Sequence, residues 1–158
     1  MFTEKDFEYM KLAAAMAEES VTNGGGPFGA VIVSNGEIVG RGTNCVTIDN
    51  DPTAHAEVNA IRNACAKLGT FSLKGCVIYS SCEPCPMCLS AIYWAGIDRI
   101  YYGNTQADAE AINFSDSFIY SELAKSQIER AVPCIPMPND FTIKAFEMWT
   151  AKEDKVEY

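Results

Sequence analysis

Three cysteines at three-residue intervals, Cys82, Cys85 and Cys88, stand in the stretch SSCEPCPMCLSAIYWAG. No other feature restricts the fold of this chain so tightly. A proline opens the segment PCPMCLSAIYWAG and Gly96 closes it, which predicts a helix. The apolar run CVIYS before it reads as a strand, and RIYYG after it reads as the next. Cys85 and Cys88, at i and i+3, then share one helix face. Pro84 pushes Glu83 toward an extended conformation. Cys82 is therefore expected before the helix and off the face of the other two.

The rest of the chain continues the alternation of strands and helices. Thr3 is expected to cap a first helix with Asp6 in its first turn. Phe7, Met10, Ala14, Ala17 and Val21 recur there at helical spacing. TNGGGPFG ends that helix. GAVIVS and EIVGRGTN flank Asn35-Gly36, a strong hairpin signal. VTIDNDPTAHAEVNAIRNACAKLG reads as a loop and then a helix, with Asp51 as N-cap, Pro52 at the first helical position and Gly69 past the end. Val58, Ile61, Cys65 and Leu68 form its expected buried stripe. DSFIYSELAK reads as a helix, VPCIPM as an edge strand and DFTIKAFEMWTAKEDK as a final helix. This pattern predicts one α/β sheet covered by helices. At 158 residues the chain is the size of a single domain.

Two local matches lead nowhere. GGGPFG, Gly24 to Gly29, fits the dinucleotide pattern G-x-G-x-x-G, but that motif leaves a strand and opens a helix. Here it leaves a helix and opens a strand, so a turn or a pocket-lining loop is the expectation. NFS at Asn113 fits a glycosylation sequon without any secretory signal to give it meaning.

Composition narrows the partners. Seven cysteines, three of them clustered, are poor material for a disulfide framework and suit metal binding or catalysis in a reducing compartment. Net charge is −9, and the twelve Lys and Arg are scattered. That weighs against a nucleic-acid partner, which needs a basic face. No run approaches the ~18 apolar residues of a membrane span. MFTEKDFEYMK lacks the regions of a signal peptide, so a cytoplasmic protein is expected.

His55 is the one histidine in the chain, and Glu57 follows two residues later at a predicted helix start. Helix N-termini favour thiolate over thiol at Cys85 and Cys88. His55, Cys85 and Cys88 can therefore supply one nitrogen and two sulfurs to a zinc ion. Three protein ligands leave one tetrahedral position open for water. If Cys82 also bound, the shell would close, the zinc would be structural and Glu57 would have no task.

HAE at 55–57 and PCPMC at 84–88 match the signature H-x-E … P-C-x-x-C. On these residues the chain resembles the cytidine and deoxycytidylate deaminase-like zinc deaminases. GGPFGAVIV, NDPTAHAEV, SSCEPCPMC, AIYWA, DSFIY and the terminal Glu157-Tyr158 are similar in particular to the bacterial guanine deaminases of that superfamily. The resemblance implies a three-layer α/β/α sandwich with a mixed five-stranded sheet. It implies one zinc per subunit on His55, Cys85 and Cys88, with Glu57 moving protons during hydrolysis of guanine to xanthine and ammonia. It implies substrate contacts from Asn44, Phe28, Trp94, Phe114, Asp116 and Tyr158. It further implies a homodimer in which a C-terminal segment, about 138–158, is exchanged and closes the partner's site. Each of these residues also has a plain structural reading: Asn44 as a turn former, Phe28 and Trp94 as core, Asp116 as an N-cap. Other substrates stay open, namely a tRNA adenosine, cytosine, guanosine or an aminated triazine, as does a non-catalytic zinc module.

Overall fold

The structure, a computed structural model, describes residues 2–157. The chain divides into two compact units, one running through Ser117 and one from Phe118 onward.

The first unit opens with α1 (Glu4–Thr22), capped as expected. Thr3 Oγ1 accepts from the Asp6 backbone N–H at 3.2 Å, and the Asp6 carboxylate accepts from the Thr3 N–H at 2.7 Å. That carboxylate also accepts from the Tyr79 hydroxyl, and the two partners hold its pKa down to about 2. The hairpin β1 (Gly26–Ser34) and β2 (Glu37–Asn44) turns on Asn35 and Gly36. Both have positive φ, 50° and 81°, the geometry that a two-residue hairpin loop of right-handed twist demands. A single turn, α2 (Val46–Asp49), follows, then α3 (Ala56–Leu68), β3 (Cys76–Cys82), α4 (Pro86–Ala95), β4 (Arg99–Asn104) and α5 (Gln106–Ala111).

The sheet order is β2-β1-β3-β4. β1 is antiparallel to both neighbours, while β3 and β4 run parallel, joined through α4. Alternate residues of β1 face opposite layers. Ala30 and Ile32 pack with Ile78, Ala60, Ala64 and Ile92 on the α3–α4 side. Val31 and Val33 pack with Tyr79 and Ala13 on the α1 side. Helices therefore cover both faces of a mixed sheet, as expected.

Among the described residues the sheet has four strands rather than five. VPCIPM forms no strand, because Pro133 and Pro136 remove two ladder donors from six residues. The burial stripes are also displaced from the predicted ones. Ala13, Ala17 and Ser20 are buried in α1, while Phe7, Ala14 and Val21 are exposed. Ala56, Ala60 and Ala64 are buried in α3, with Ile61 and Cys65 at the margin and Leu68 exposed.

The reason is close backbone packing. A Cβ on Gly29 would lie 2.4 Å from the Ala13 carbonyl oxygen, and one on Gly42 would lie 2.1 Å from the Ala56 carbonyl oxygen. Alanine faces on the helices meet glycines on the strands, so large side chains are forced to the flanks. Gly42→Ala is expected to cost about 1–3 kcal/mol. Because it pushes on Ala56, between His55 and Glu57, it is also expected to lower zinc retention. Urea denaturation and metal analysis check both.

α3 starts later than predicted. Asp51 does not cap it; its Oδ1 accepts from the Thr53 N–H and hydroxyl, both at 2.7 Å, in a tight turn. His55 occupies the N-cap position, with extended φ and ψ of −72° and 157°.

The second unit holds most of α6 (Ser117–Leu123) and α7 (Ile143–Ala151). The Glu122 carboxylate joins Lys125 and the Ala131 N–H, and the Arg130 guanidinium donates to the Glu122 carbonyl oxygen at 3.2 Å. Met137, Phe141, Phe146 and Met148 are exposed.

Candidate metal and substrate site

Two helix starts meet at one end of the sheet. His55 is the N-cap of α3, Cys85 is the N-cap of α4, and Cys88 lies three residues on. Gly69 and Gly96 end the same helices in the left-handed conformation, as their positions in the sequence predict. His55 Nδ1 stands 3.6 Å from Cys85 Sγ and 3.5 Å from Cys88 Sγ. The three ligand atoms lie within 4.8 Å of one another. At ordinary zinc bond lengths a tetrahedron sets sulfur and nitrogen about 3.6 Å apart. The donor set and its spacing fit zinc, with Nδ1 the ring nitrogen that faces the two sulfurs.

The electrostatics separate the cysteines. Hydrogen bonding from Cys88 and then His55 pulls Cys85 down to about 4, so it is a thiolate at neutral pH. The same contact with Cys85 raises His55, and it raises Cys88 along with burial. Cys82 stays outside this group. β3 continues through Cys82, further than predicted, and pairs it with Asn104 of β4. Its thiol points to the Thr105 carbonyl oxygen at 3.7 Å. Burial pushes Cys82 up to about 11, with the charges of Glu57, Glu83 and Asp116 acting in the same sense. Geometry rather than protonation sets Cys82 apart: burial raises Cys88 as well, but Cys88 Sγ faces His55 while the Cys82 thiol turns to Thr105.

Glu57, the second residue of α3, is 6 % exposed. Burial raises its pKa, partly offset by its own backbone N–H, the Cys88 thiol and Ser80. The Ser80 hydroxyl donates to Glu57 Oε1 at 3.1 Å. A desolvated carboxyl with raised pKa beside a metal position is suited to take and return protons.

The expected substrate residues fall into three groups. Asn44 ends β2, is 6 % exposed, and its Oδ1 accepts from the Val46 N–H at 3.3 Å. Gly26 lies opposite, where a Cβ would sit 3.0 Å from Asn44 Cγ, so the glycine loop exists to let the chain pass this asparagine. Phe28 and Phe114 meet edge to face, with centroids 5.1 Å apart. Asp116 Oδ1 accepts from Gln106 Nε2 at 2.5 Å. Trp94 is 71 % exposed on α4, off the buried face of Cys88, Ile92 and Ala95. Tyr158 lies outside the described residues.

Sequence reasoning missed Ser80, Gln106 and Asn59. Ser80 carried a signal, a hydroxyl inside the apolar run of β3. Asn59 Nδ2 donates to the carbonyl oxygens of Thr43 and Ala54, tying the end of β2 to the approach to α3. Neither it nor Gln106 carried any signal.

This arrangement has known relatives. Residues 3–104 match the cytidine and deoxycytidylate deaminase zinc-binding region. The chain belongs to that family of zinc-dependent deaminases. It is similar to the guanine deaminase of Bacillus subtilis (strain 168), at 48 % identity over 151 residues, 95 % of this chain and 97 % of that protein. A crystal structure of guanine deaminase from Bacillus subtilis superposes with a TM-score of 0.94 at 47 % identity, covering 100 % of this chain and 99 % of that one. The tRNA-specific adenosine deaminase of the same strain is 39 % identical over 99 residues, 63 % of this chain and 62 % of that protein.

Proposed function

We propose that this protein deaminates guanine hydrolytically to xanthine and ammonia, in purine catabolism or salvage. The observation that carries the reading is the full-length likeness to the Bacillus subtilis guanine deaminase, with the His55–Cys85–Cys88 group beside buried Glu57. His55, Cys85 and Cys88 would hold one zinc per subunit. Zinc in such a site lowers the pKa of a water from about 15.7 to about 7 and so makes a nucleophile available at neutral pH.

The chain's own residues do the rest. Glu57 takes a proton from the attacking water at its carboxylate and delivers it to a ring nitrogen. A C2–O bond forms, and Glu57 assists protonation of the amine as the C2–N bond breaks. Ser80 holds one carboxylate oxygen during these transfers. The Asn44 amide and the Asp116 carboxylate orient the base by its polar edge, and Phe28 and Phe114 offer aromatic faces to a flat ring.

The acidic balance favours a small base over RNA. The likeness to the Bacillus subtilis tRNA deaminase stops at about two thirds of the chain. We read the protein as cytoplasmic and as a homodimer whose C-terminal segment, Tyr158 included, closes the partner's site. The exposed Phe141, Phe146 and Met148 support an exchanged segment, since each leaves a large apolar side chain in water. Truncating the last few residues is expected to reduce activity and leave zinc content unchanged; unaltered kinetics would remove Tyr158 from the site. Among the described residues no helix is long and apolar enough to cross a membrane.

An ammonia-release screen over guanine, guanosine, cytosine, adenine and aminated triazines tests the substrate. Guanine is expected to be turned over far faster than the rest. Preference for any other member overturns the assignment.

A further inference from the structure

We infer that Gln106 is a positioning residue for this reaction: it fixes the rotamer of Asp116, so that one carboxylate oxygen is held by the protein and the other is left for the purine. The inference rests on the reading of Asp116 as a substrate contact.

Asp116 sits in the loop after α5, behind Asn113, whose φ is +68°. A short carboxylate on an exposed loop ordinarily samples several rotamers. From 102 to 117 the chain is exposed except at three residues, Gln106, Ala109 and Asp116. The amide and the carboxylate are thus the polar side chains shielded there, and they are bonded to each other at 2.5 Å. Hydrogen bonds to an ionised group from a sheltered donor are among the stronger ones.

Gln106 is itself anchored. Its backbone N–H donates to Glu83 Oε2 at 3.1 Å, and the Glu83 N–H donates to the Asn104 carbonyl oxygen at 2.9 Å. Glu83 stands two residues before Cys85. The Asp116 carboxylate is therefore tied through Gln106 and Glu83 to the segment that carries the metal ligands.

The loop backbone does not need this bond. The Phe114 N–H already donates to the Ala109 carbonyl oxygen at 3.0 Å, and the Ser115 hydroxyl to Glu110 Oε1 at 3.1 Å. What Gln106 adds is the direction of one side chain. It takes Oδ1 and leaves Oδ2.

A double-mutant cycle on the zinc-loaded protein tests this, with Gln106→Leu, Asp116→Asn and both together, assayed with guanine. Gln106→Glu is carried in parallel, since it keeps side-chain length and sets a second carboxylate against Asp116. Zinc content and melting temperature accompany each variant. Gln106→Leu is expected to keep its zinc and lower kcat/KM at least tenfold, chiefly through KM. The loss is expected to vanish in the Asp116→Asn background, and Gln106→Glu is expected to be at least as impaired. Kinetics for Gln106→Leu within twofold of wild type, beside an impaired Asp116→Asn, sink the inference and leave Asp116 in the site. Losses that multiply in the double variant also sink it, because Gln106 then acts elsewhere. Wild-type behaviour of Asp116→Asn removes the underlying reading and the inference together.

Discussion

Glu57→Gln is expected to keep its zinc and its fold and to lose turnover by about 10²–10⁴-fold, the usual contribution of a positioned acid–base group. The substitution isolates the proton from everything else. Glutamine has nearly the same shape, and its amide oxygen can still accept from the Ser80 hydroxyl, now 3.1 Å from Glu57 Oε1. Burial raises the pKa of Glu57, so the wild type carries a desolvation cost that a neutral amide avoids. The variant should therefore melt at or above the wild-type temperature. It cannot accept the proton of the attacking water, nor hand one to the leaving amine. Ammonia release under saturating guanine, with metal analysis on the same sample, makes the comparison. Near-wild-type release with zinc in place would end the role given to Glu57 and reopen the reading of the site as a structural zinc module.

How far this site could be read from sequence depends on how local each signal was. The hairpin at Asn35-Gly36 was legible because two successive positive φ angles leave few residue choices. The ends of α3 and α4 were legible for the same reason, at Gly69 and Gly96. The start of α3 was not. Asp51-Pro52 is a strong cap signal, but the Asp51 carboxylate is taken by Thr53, and His55 inherits the cap position. The later start places His55 at the mouth of the helix rather than within its first turn.

The buried stripes do not follow the large apolar residues of the helices. Where α3 crosses β2 the distance is set by Gly40 and Gly42, and alanines win the inner face. The fifth strand failed on the two prolines that should have argued against it. Asn44, Phe28, Phe114 and Asp116 came from resemblance; periodicity alone would have given them structural tasks. Gln106 could not be found at all. Its meaning lies in a contact with a residue ten positions away, across a loop that no local pattern describes.

Substitution is expected to separate Cys82 completely from Cys85 and Cys88. Cys88→Ala should abolish stoichiometric zinc and with it measurable turnover, because Cys88 Sγ faces His55 Nδ1 at 3.5 Å and two donors do not make a zinc site of this kind. Cys88 is fully enclosed on the inner face of α4, so no neighbouring side chain at the surface can swing in to replace the sulfur. Cys82→Ala should keep both zinc and activity. Its sulfur points away from His55 to the Thr105 carbonyl oxygen, at 3.7 Å. It loses one weak hydrogen bond and a few packed atoms, a change of about 1 kcal/mol. Cys85→Ala is expected to follow Cys88→Ala, as it removes the other sulfur that faces His55 Nδ1, at 3.6 Å. Metal analysis of the three purified variants, beside guanine turnover, separates the outcomes. A metal-depleted Cys82→Ala protein would mean a closed shell of three sulfurs and one nitrogen, with no position left for water. Retention in Cys82→Ala with loss in the other two leaves that fourth position open, next to the buried Glu57 carboxylate that can use it.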